Sequence, residues 1–441
     1  MKKAFYSSPA LIVIFSLFCA GIASAQSSDI SPYSRYGIGD LQDQNSVLNF
    51  SMGGTGIAYH NDITTPFFLN LKNPASYAYN FIPIEDSAGS GGLKMASFEA
   101  GILDNSLTLT TQGQTLKSNN AYLAYIALNL PISRHVGIAM GLLPVSTQGY
   151  NITLLTDSIE TQYQGNGGTN KVFVGAAYSP IKNLSFGANL AYLFGSLTNE
   201  EDIYFPQNNT SFNTFKIENV GIHSFIADFG LMYTIKLPHD WSITLGGTFA
   251  PAMNLNASYH NFASSQYING SSINNMDTLL DSSTVGKVKL PTMWGAGITI
   301  KKGEQWTFSF DYTAQNWSQY SSFGNSDSLK DSYKWGVGIQ FVPKKVYSSS
   351  YLQRIQYRAG FSMGQNYLNL YNTPLKDMSF SAGLGLPIGN ANPFAHPCVL
   401  NIGVQVGTFG TTSNNLIKTD YVKLMFGFTF DDRWFDKRKF Q

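Results

Sequence analysis

The chain has 441 residues, with 28 Lys and Arg against 27 Asp and Glu, a net charge of +1, 12% charged residues and 14% aromatics. A soluble domain carries about 25% charge, so this chain cannot dress a water-facing surface in the usual way, and a charge near zero gives no sign of a nucleic-acid partner. Mean hydropathy is −0.08, which excludes a bundle of spanning helices because the apolar residues are dispersed rather than gathered into runs.

One long apolar run stands at the N-terminus. Lys2 and Lys3 precede Ala10–Ala20, and Ala23-Ser24-Ala25 offers a cleavage site before Gln26. This is the pattern of a secretory signal peptide over residues 1–25. Cys19 falls inside it, which leaves Cys398 as the other of the 2 cysteines. The exported chain then has no intrachain disulfide, and Cys398 reads as a small apolar residue near a turn.

From Gln26 to about Gly92 there is no alternation. SPYSRYGIGDLQDQ, SMGGTGIAYHND and LKNPASYAYN are polar and turn-rich. Gly53, Gly54 and Gly56 are not followed by the Lys-Ser/Thr of a phosphate loop, so they read as tight turns of a compact segment. Asn73-Pro74-Ala75 reads as a further turn and as the hinge of a segment that moves. Phe67-Phe68-Leu69 is apolar in polar surroundings and either lines a ligand pocket or docks the segment on a wall.

Regular strands begin near Leu93. They fall at 94–103, 119–131, 135–150, 160–179, 183–204, 211–236, 240–260, 284–301, 303–316, 332–343, 354–366, 377–388, 397–408 and 420–430. Trp306, Phe308, Phe310 and Tyr312 share one face while Thr307, Ser309 and Asp311 share the other, the period of two of a strand with one apolar face. Val422, Leu424, Phe426, Phe428 and Phe430 repeat the pattern. The connections alternate as well. Pro131–Arg134, Pro180–Asn183, Leu237–Asp240 and Lys301–Glu304 are short, whereas 195–220, 252–285, 317–331 and 409–419 read as long polar loops. Short turns at one end and long loops at the other are the habit of outer-membrane barrels.

The expected fold is therefore all-β, a transmembrane antiparallel up-and-down β-barrel of about 14 strands with an N-terminal plug in the lumen. Residues 1–25 are the signal peptide, 26–92 the plug or hatch, 93–432 the barrel, and 433–441 a basic, aromatic periplasmic tail. Trp294, Trp306, Trp317 and Trp335 near strand ends are expected in the interfacial girdles. Asp228, Asp311 and Arg358 fall on lumenal faces, and the many lumenal glycines imply that something packs against the inner wall. Pro144 interrupts the third strand and marks either the point where that strand leaves the membrane or a lateral opening. His60, His135, His223, His239, His260 and His396 lack metal-ligand spacing, and His223 and Ser224, adjacent in a strand, face opposite ways. No metal, cofactor or enzymatic activity is expected.

The segments Ala58-Tyr59-His60-Asn61-Asp62, Asn73-Pro74-Ala75, Leu290-Pro291, Asp311-Tyr312 and Trp317 resemble the FadL-type family of channels for long-chain fatty acids and other hydrophobic compounds, in its Bacteroidetes branch. The resemblance implies a hatch inside the barrel, an apolar pocket, lateral exit into the membrane, and passive uptake of a hydrophobic small molecule by a monomer in the outer membrane of a Gram-negative bacterium, among outer-membrane lipids. The same barrel family contains PorV-type proteins of type IX secretion, which implies as an alternative a non-transporting barrel with a periplasmic or outer-membrane protein partner.

Overall fold

Alternating side chains lay this chain out as paired strands, and closure of the sheet lets every spanning backbone group find a partner inside the protein. The computed structural model describes residues 31–61, 68–79, 81–84, 91–205, 212–269, 272–327, 329–343, 350–388 and 398–434. In it a closed antiparallel 14-strand barrel surrounds the N-terminal segment. The barrel strands are β1 (Gly91–Thr111), β2 (Gln114–Pro131), β3 (Val136–Leu155), β4 (Glu160–Ile181), β5 (Leu184–Tyr204), β6 (Asn213–Leu237), β7 (Trp241–Ala250 and Met253–Asn269), β8 (Ser272–Leu290 and Met293–Lys302), β9 (Trp306–Gln315), β10 (Ser332–Phe341), β11 (Gln356–Leu370), β12 (Thr373–Ile388), β13 (Cys398–Gly410) and β14 (Lys418–Arg433). β14 closes on β1 from Lys418↔Thr110 to Arg433↔Met95. β7 and β8 are broken side by side, at Pro251 and Pro291, where each proline removes a ladder donor.

The outer face carries exposed Phe186, Leu190, Phe225, Phe249, Phe308, Phe310 and Phe380. These meet hydrocarbon. The inner face buries Ser185, Asn189, Thr244, Thr299, Ser309, Asp311 and Arg358. No described helix is long and apolar enough to cross a membrane; the strands do the crossing. Trp317 corrects the girdle expectation. It is buried and stacks on Tyr367 at 4.4 Å inside the upper lumen, because the short helix Trp317–Gln319 turns inward after β9.

The long-loop expectation is corrected on one side of the barrel. β5 reaches Tyr204 and β6 starts at Asn213, while β7 reaches Asn269 and β8 starts at Ser272. Most of 195–220 and 252–285 is therefore strand. Above the apolar band both faces of these strands meet water, so the alternation that marks a strand disappears while backbone pairing continues. β6 has 25 residues and β4 has 22, against 10 each for β9 and β10. One side of the wall thus stands tall on the loop side.

Inside, Ser31 accepts a hydrogen bond from the Tyr33 N–H and caps the turn Pro32–Arg35. Ser46 does the same for the Asn49 N–H at the head of the buried helix Val47–Ser51. The turn Pro74–Tyr79 follows. Phe81–Ile84 then pairs with Gly91–Lys94 and hands the chain to β1.

Candidate functional site

The plug rests on glycine. A Cβ added at Gly187 would lie 2.3 Å from the Pro74 carbonyl carbon, at Gly230 2.0 Å from Asn73 Oδ1, and at Gly246 2.2 Å from the Ile57 oxygen. At Gly360 it would lie 2.1 Å from the Gly53 nitrogen, and at Gly137 1.8 Å from the Tyr77 oxygen. These positions sit near the short-turn ends of β3, β5, β6, β7 and β11. Only a residue without a side chain lets plug backbone touch wall backbone. β9 offers Asp311 instead, whose Oδ2 accepts the Gly56 N–H at 2.6 Å and the Ile57 N–H at 2.8 Å.

The residues singled out in the sequence converge on this ring. Gly53 adopts φ 68°, Gly54 φ 75°, and the Gly53 N–H donates to Ser381 Oγ at 2.8 Å. Asn73 is fully buried. Its Nδ2 donates to the Ile57 oxygen at 2.7 Å and the Leu231 oxygen at 3.2 Å, and its Oδ1 accepts the Ala75 N–H at 3.0 Å. Asn73-Pro74-Ala75 therefore fastens the plug to β6 in this conformation. Phe68 packs edge-on against Tyr59 at 5.1 Å, and Leu69 lies in a cluster with Val47, Phe50 and Tyr77. Phe68 packs within the plug, Leu69 docks the plug on the wall as well, and neither lines either of the two cavities described. Phe67 and the signal peptide lie outside the described residues.

Pro144 lies where the wall splits. β2 and β3 pair only from Pro131↔Gly137 to Ile126↔Leu142. Above that, among the described residues, β2 pairs with β1 alone. β3 continues along β4 with a register shift between Pro144 and Ser146. The plug zips this seam. Asp40 and Leu41 pair with Thr147 and Ser146 on the vacated edge of β3. The Gln42 N–H donates to the Val145 oxygen at 2.9 Å, and the Ser31 N–H to the Gly149 oxygen at 2.9 Å. Gln42 Nε2 donates to Thr147 Oγ1 at 2.9 Å, while Tyr122 of β2 donates to Gln42 Oε1 from the opposite bank. Sequence reading misses this latch because a two-residue strand carries no periodicity.

Behind the latch is a cavity of about 290 Å³, lined among others by Asp40, Asp43, Lys334, Asp377, Lys423 and Tyr421. Lys334 Nζ lies 2.7 Å from Asp43 and 3.9 Å from Asp377. Burial would raise the Asp43 carboxyl, but Lys334, Lys72 and Lys423 hold it well below the usual carboxylate range. Burial pushes Asp40 up to about 7, against the attraction of Lys423. An apolar ligand site has a mostly apolar lining with a few placed polar groups; in this cavity polar and apolar surface are about equal, and the polar part includes Asp and Lys side chains. Above it Tyr33, Ile38, Trp317, Tyr367, Leu375 and Leu416 form an apolar roof, and the Tyr367 hydroxyl donates to the Gly39 oxygen at 2.9 Å. Among the described residues no group of three His, Cys, Asp or Glu is placed to hold a metal.

The latch is expected to weaken with rising pH. The docked Asp40 keeps its proton up to about 7, while an undocked aspartate loses it near 4. Between these values the undocked state binds fewer protons, so docking stability falls as pH rises and is lowest above 7. Hydrogen exchange at the Leu41 and Gln42 amides, corrected for intrinsic rate, should be faster at pH 8 than at pH 5, and Asp40→Asn should remove the difference. Equal corrected rates in the parent chain would contradict this.

A family model described as BamG matches residues 7–441. The chain belongs to the BamG family. No curated protein sequence matches it. Among solved structures, this BamG-family chain is similar to the P. putida toluene transporter TodX, at 14% identity and a TM-score of 0.56 over 89% of this chain and 99% of that one. It is also similar to the Ralstonia pickettii toluene transporter TbuX (15%, 0.54, 88% and 98%) and to a Pseudomonas aeruginosa FadL homologue (11%, 0.54, 88% and 98%). At these identities the likeness shows the fold: the BamG-family chain has a FadL-like β-barrel fold.

Proposed function

We propose that this barrel works closed, as an outer-membrane scaffold that binds other proteins, rather than as an open route for apolar molecules. One observation carries the reading. A plug seated backbone-to-backbone on the wall occupies the lumen, and a cavity beside it, of about 290 Å³ among the described residues, is edged with Asp and Lys. Those charged groups at its edge are a poor match for a long acyl chain. The tall ordered wall of β3 to β8 on the loop side supports the same reading, since paired strands hold a fixed surface that a partner can recognise.

A second reading has its own support. TodX and TbuX are toluene transporters, and the seam at Pro144 supplies a place for lateral exit once the latch is released. Under this reading a small hydrophobic molecule, a fatty acid included, passes passively through a monomer. Membership of the Bacteroidetes branch and export by residues 1–25 belong to both readings.

The two separate in reconstituted vesicles. Purified barrel should leave the rate of toluene entry at the protein-free rate, while mild purification from the native outer membrane should recover a partner protein in fixed ratio. Toluene entry clearly above the protein-free rate, with no partner recovered, would return the protein to the transporters.

A further inference from the structure

The tall wall ends in an open edge. β8 pairs with β7 from Ser272 to Leu290. On its other side Lys289 and Val288 pair with Ser321 and Ser322 of this same chain, and the Lys287 oxygen accepts the Phe323 N–H at 2.9 Å. The chain then turns away through Phe323 (φ 51°) and Gly324 (φ 85°). Above Lys287, among the described residues, nothing pairs with the outer edge of β8. Asp277 to Val285 is exposed without interruption, and Val285 reaches 84%.

Edges of this kind are usually blunted by charge, proline or a bulge. The outer half of β8 is blunted in this way: Asp277 and Asp281 lie there, and the register with β7 shifts twice, between Ala263 and Ser264 and between Ser265 and Gln266. Ser282 to Gly286 has no charge, no proline and no shift. Immediately below, Lys287 and Lys289 have no carboxylate within ion-pair distance among the described residues.

We propose that Ser282–Gly286 is a docking edge for an extended segment of a partner protein, which adds to β8 as an antiparallel strand in line with Ser321–Ser322 and brings a carboxylate to Lys287 and Lys289 at its membrane-proximal end. Three observations fix the occupant. A row of outward N–H and C=O groups is matched only by another strand. This chain already uses the same edge that way two residues lower. The Lys287 ammonium, which donates to the neutral Asn256 Oδ1 across the strand pair, and the Lys289 ammonium have no carboxylate partner among the described residues and call for an acidic residue. The inference rests on the scaffold reading and gives it an address.

The Phe323 bond shows that the backbone groups of Lys287 face outward. In an antiparallel ladder both groups of a residue face one way and alternate along the strand, so those of Val285 and Ser283 face outward too. Ser283→Pro with Val285→Pro therefore deletes two outward donors and leaves the bonds to β7 intact. In the full-length protein in its native membrane, this double variant should migrate as a folded barrel yet recover about ten-fold less partner, the loss expected when two hydrogen bonds go. Photo-cross-links from positions 283 and 285 in the parent chain should map to one partner peptide, two residues apart and in reversed order. Undiminished partner recovery from the proline variant would overturn the edge while leaving the scaffold standing, and cross-links to a second copy of this chain or to no protein would overturn it likewise. No partner at all in the parent would sink both.

Discussion

Gly360→Val is expected to unseat the plug without opening the barrel. The new Cβ would stand 2.1 Å from the Gly53 nitrogen and 2.2 Å from the Met52 carbonyl carbon. Both are backbone atoms, and Gly53 is held in a left-handed turn whose N–H is spent on Ser381. Ordinary overpacking costs about 1–3 kcal/mol, and here no side chain can swing aside to absorb it. The ladder is indifferent: Gly360 faces Gly338 and Ser381 across regular antiparallel pairs, where valine is a good strand residue. The variant should therefore keep the heat-modifiable mobility of a folded barrel, while residues 31–61 become accessible to protease and conductance in planar bilayers rises. A protected plug and an unchanged closed state would mean that the wall contacts are not what seats it.

Asp311→Ala should have the next largest effect, by the opposite means. It creates space but removes the acceptor of two buried N–H groups, at Gly56 and Ile57. Hydrogen bonds to a charged group contribute about 1.5–3 kcal/mol, and a buried donor left bare costs about 1–3 kcal/mol. Asp311→Asn keeps one acceptor oxygen and should fall between. Gly297→Ala tests the same contact from across the sheet, since its Cβ would lie 2.4 Å from Asp311 Oδ1. Hydrogen exchange at residues 53–61 should rise in the order parent, Asn, Ala. The reverse order, or no change, would place the anchor elsewhere, with Asn73 the next candidate.

The two predictions use features of unequal visibility. Lumenal glycines in excess were legible in the sequence as a wall meant to be touched. Asp311 was legible as a lumenal carboxylate, because alternation across Trp306–Tyr312 fixes its side. That Gly56 and Ile57 are its partners was not, since 254 positions separate Ile57 from Asp311 and no local pattern spans that interval. The character of the lumen was hidden for the same reason. Asp40, Asp43, Lys334, Asp377 and Lys423 come from the plug and from three separate strands, and only barrel closure brings them to one cavity.

What the sequence by itself determined is the barrel. Period-two alternation is a local property, each strand states its own lipid face, and sparse charge with dispersed apolar residues leaves membrane closure as the outcome. What the tertiary structure decided is everything that depends on which backbone meets which. The plug is seated on glycine, the seam at Pro144 is zipped by Asp40 and Leu41, and the wall from β3 to β8 rises above the membrane as strand rather than loop. Above the apolar band and inside the lumen no face is greasy, so side-chain pattern falls silent and backbone pairing between distant segments, invisible in sequence, sets the structure.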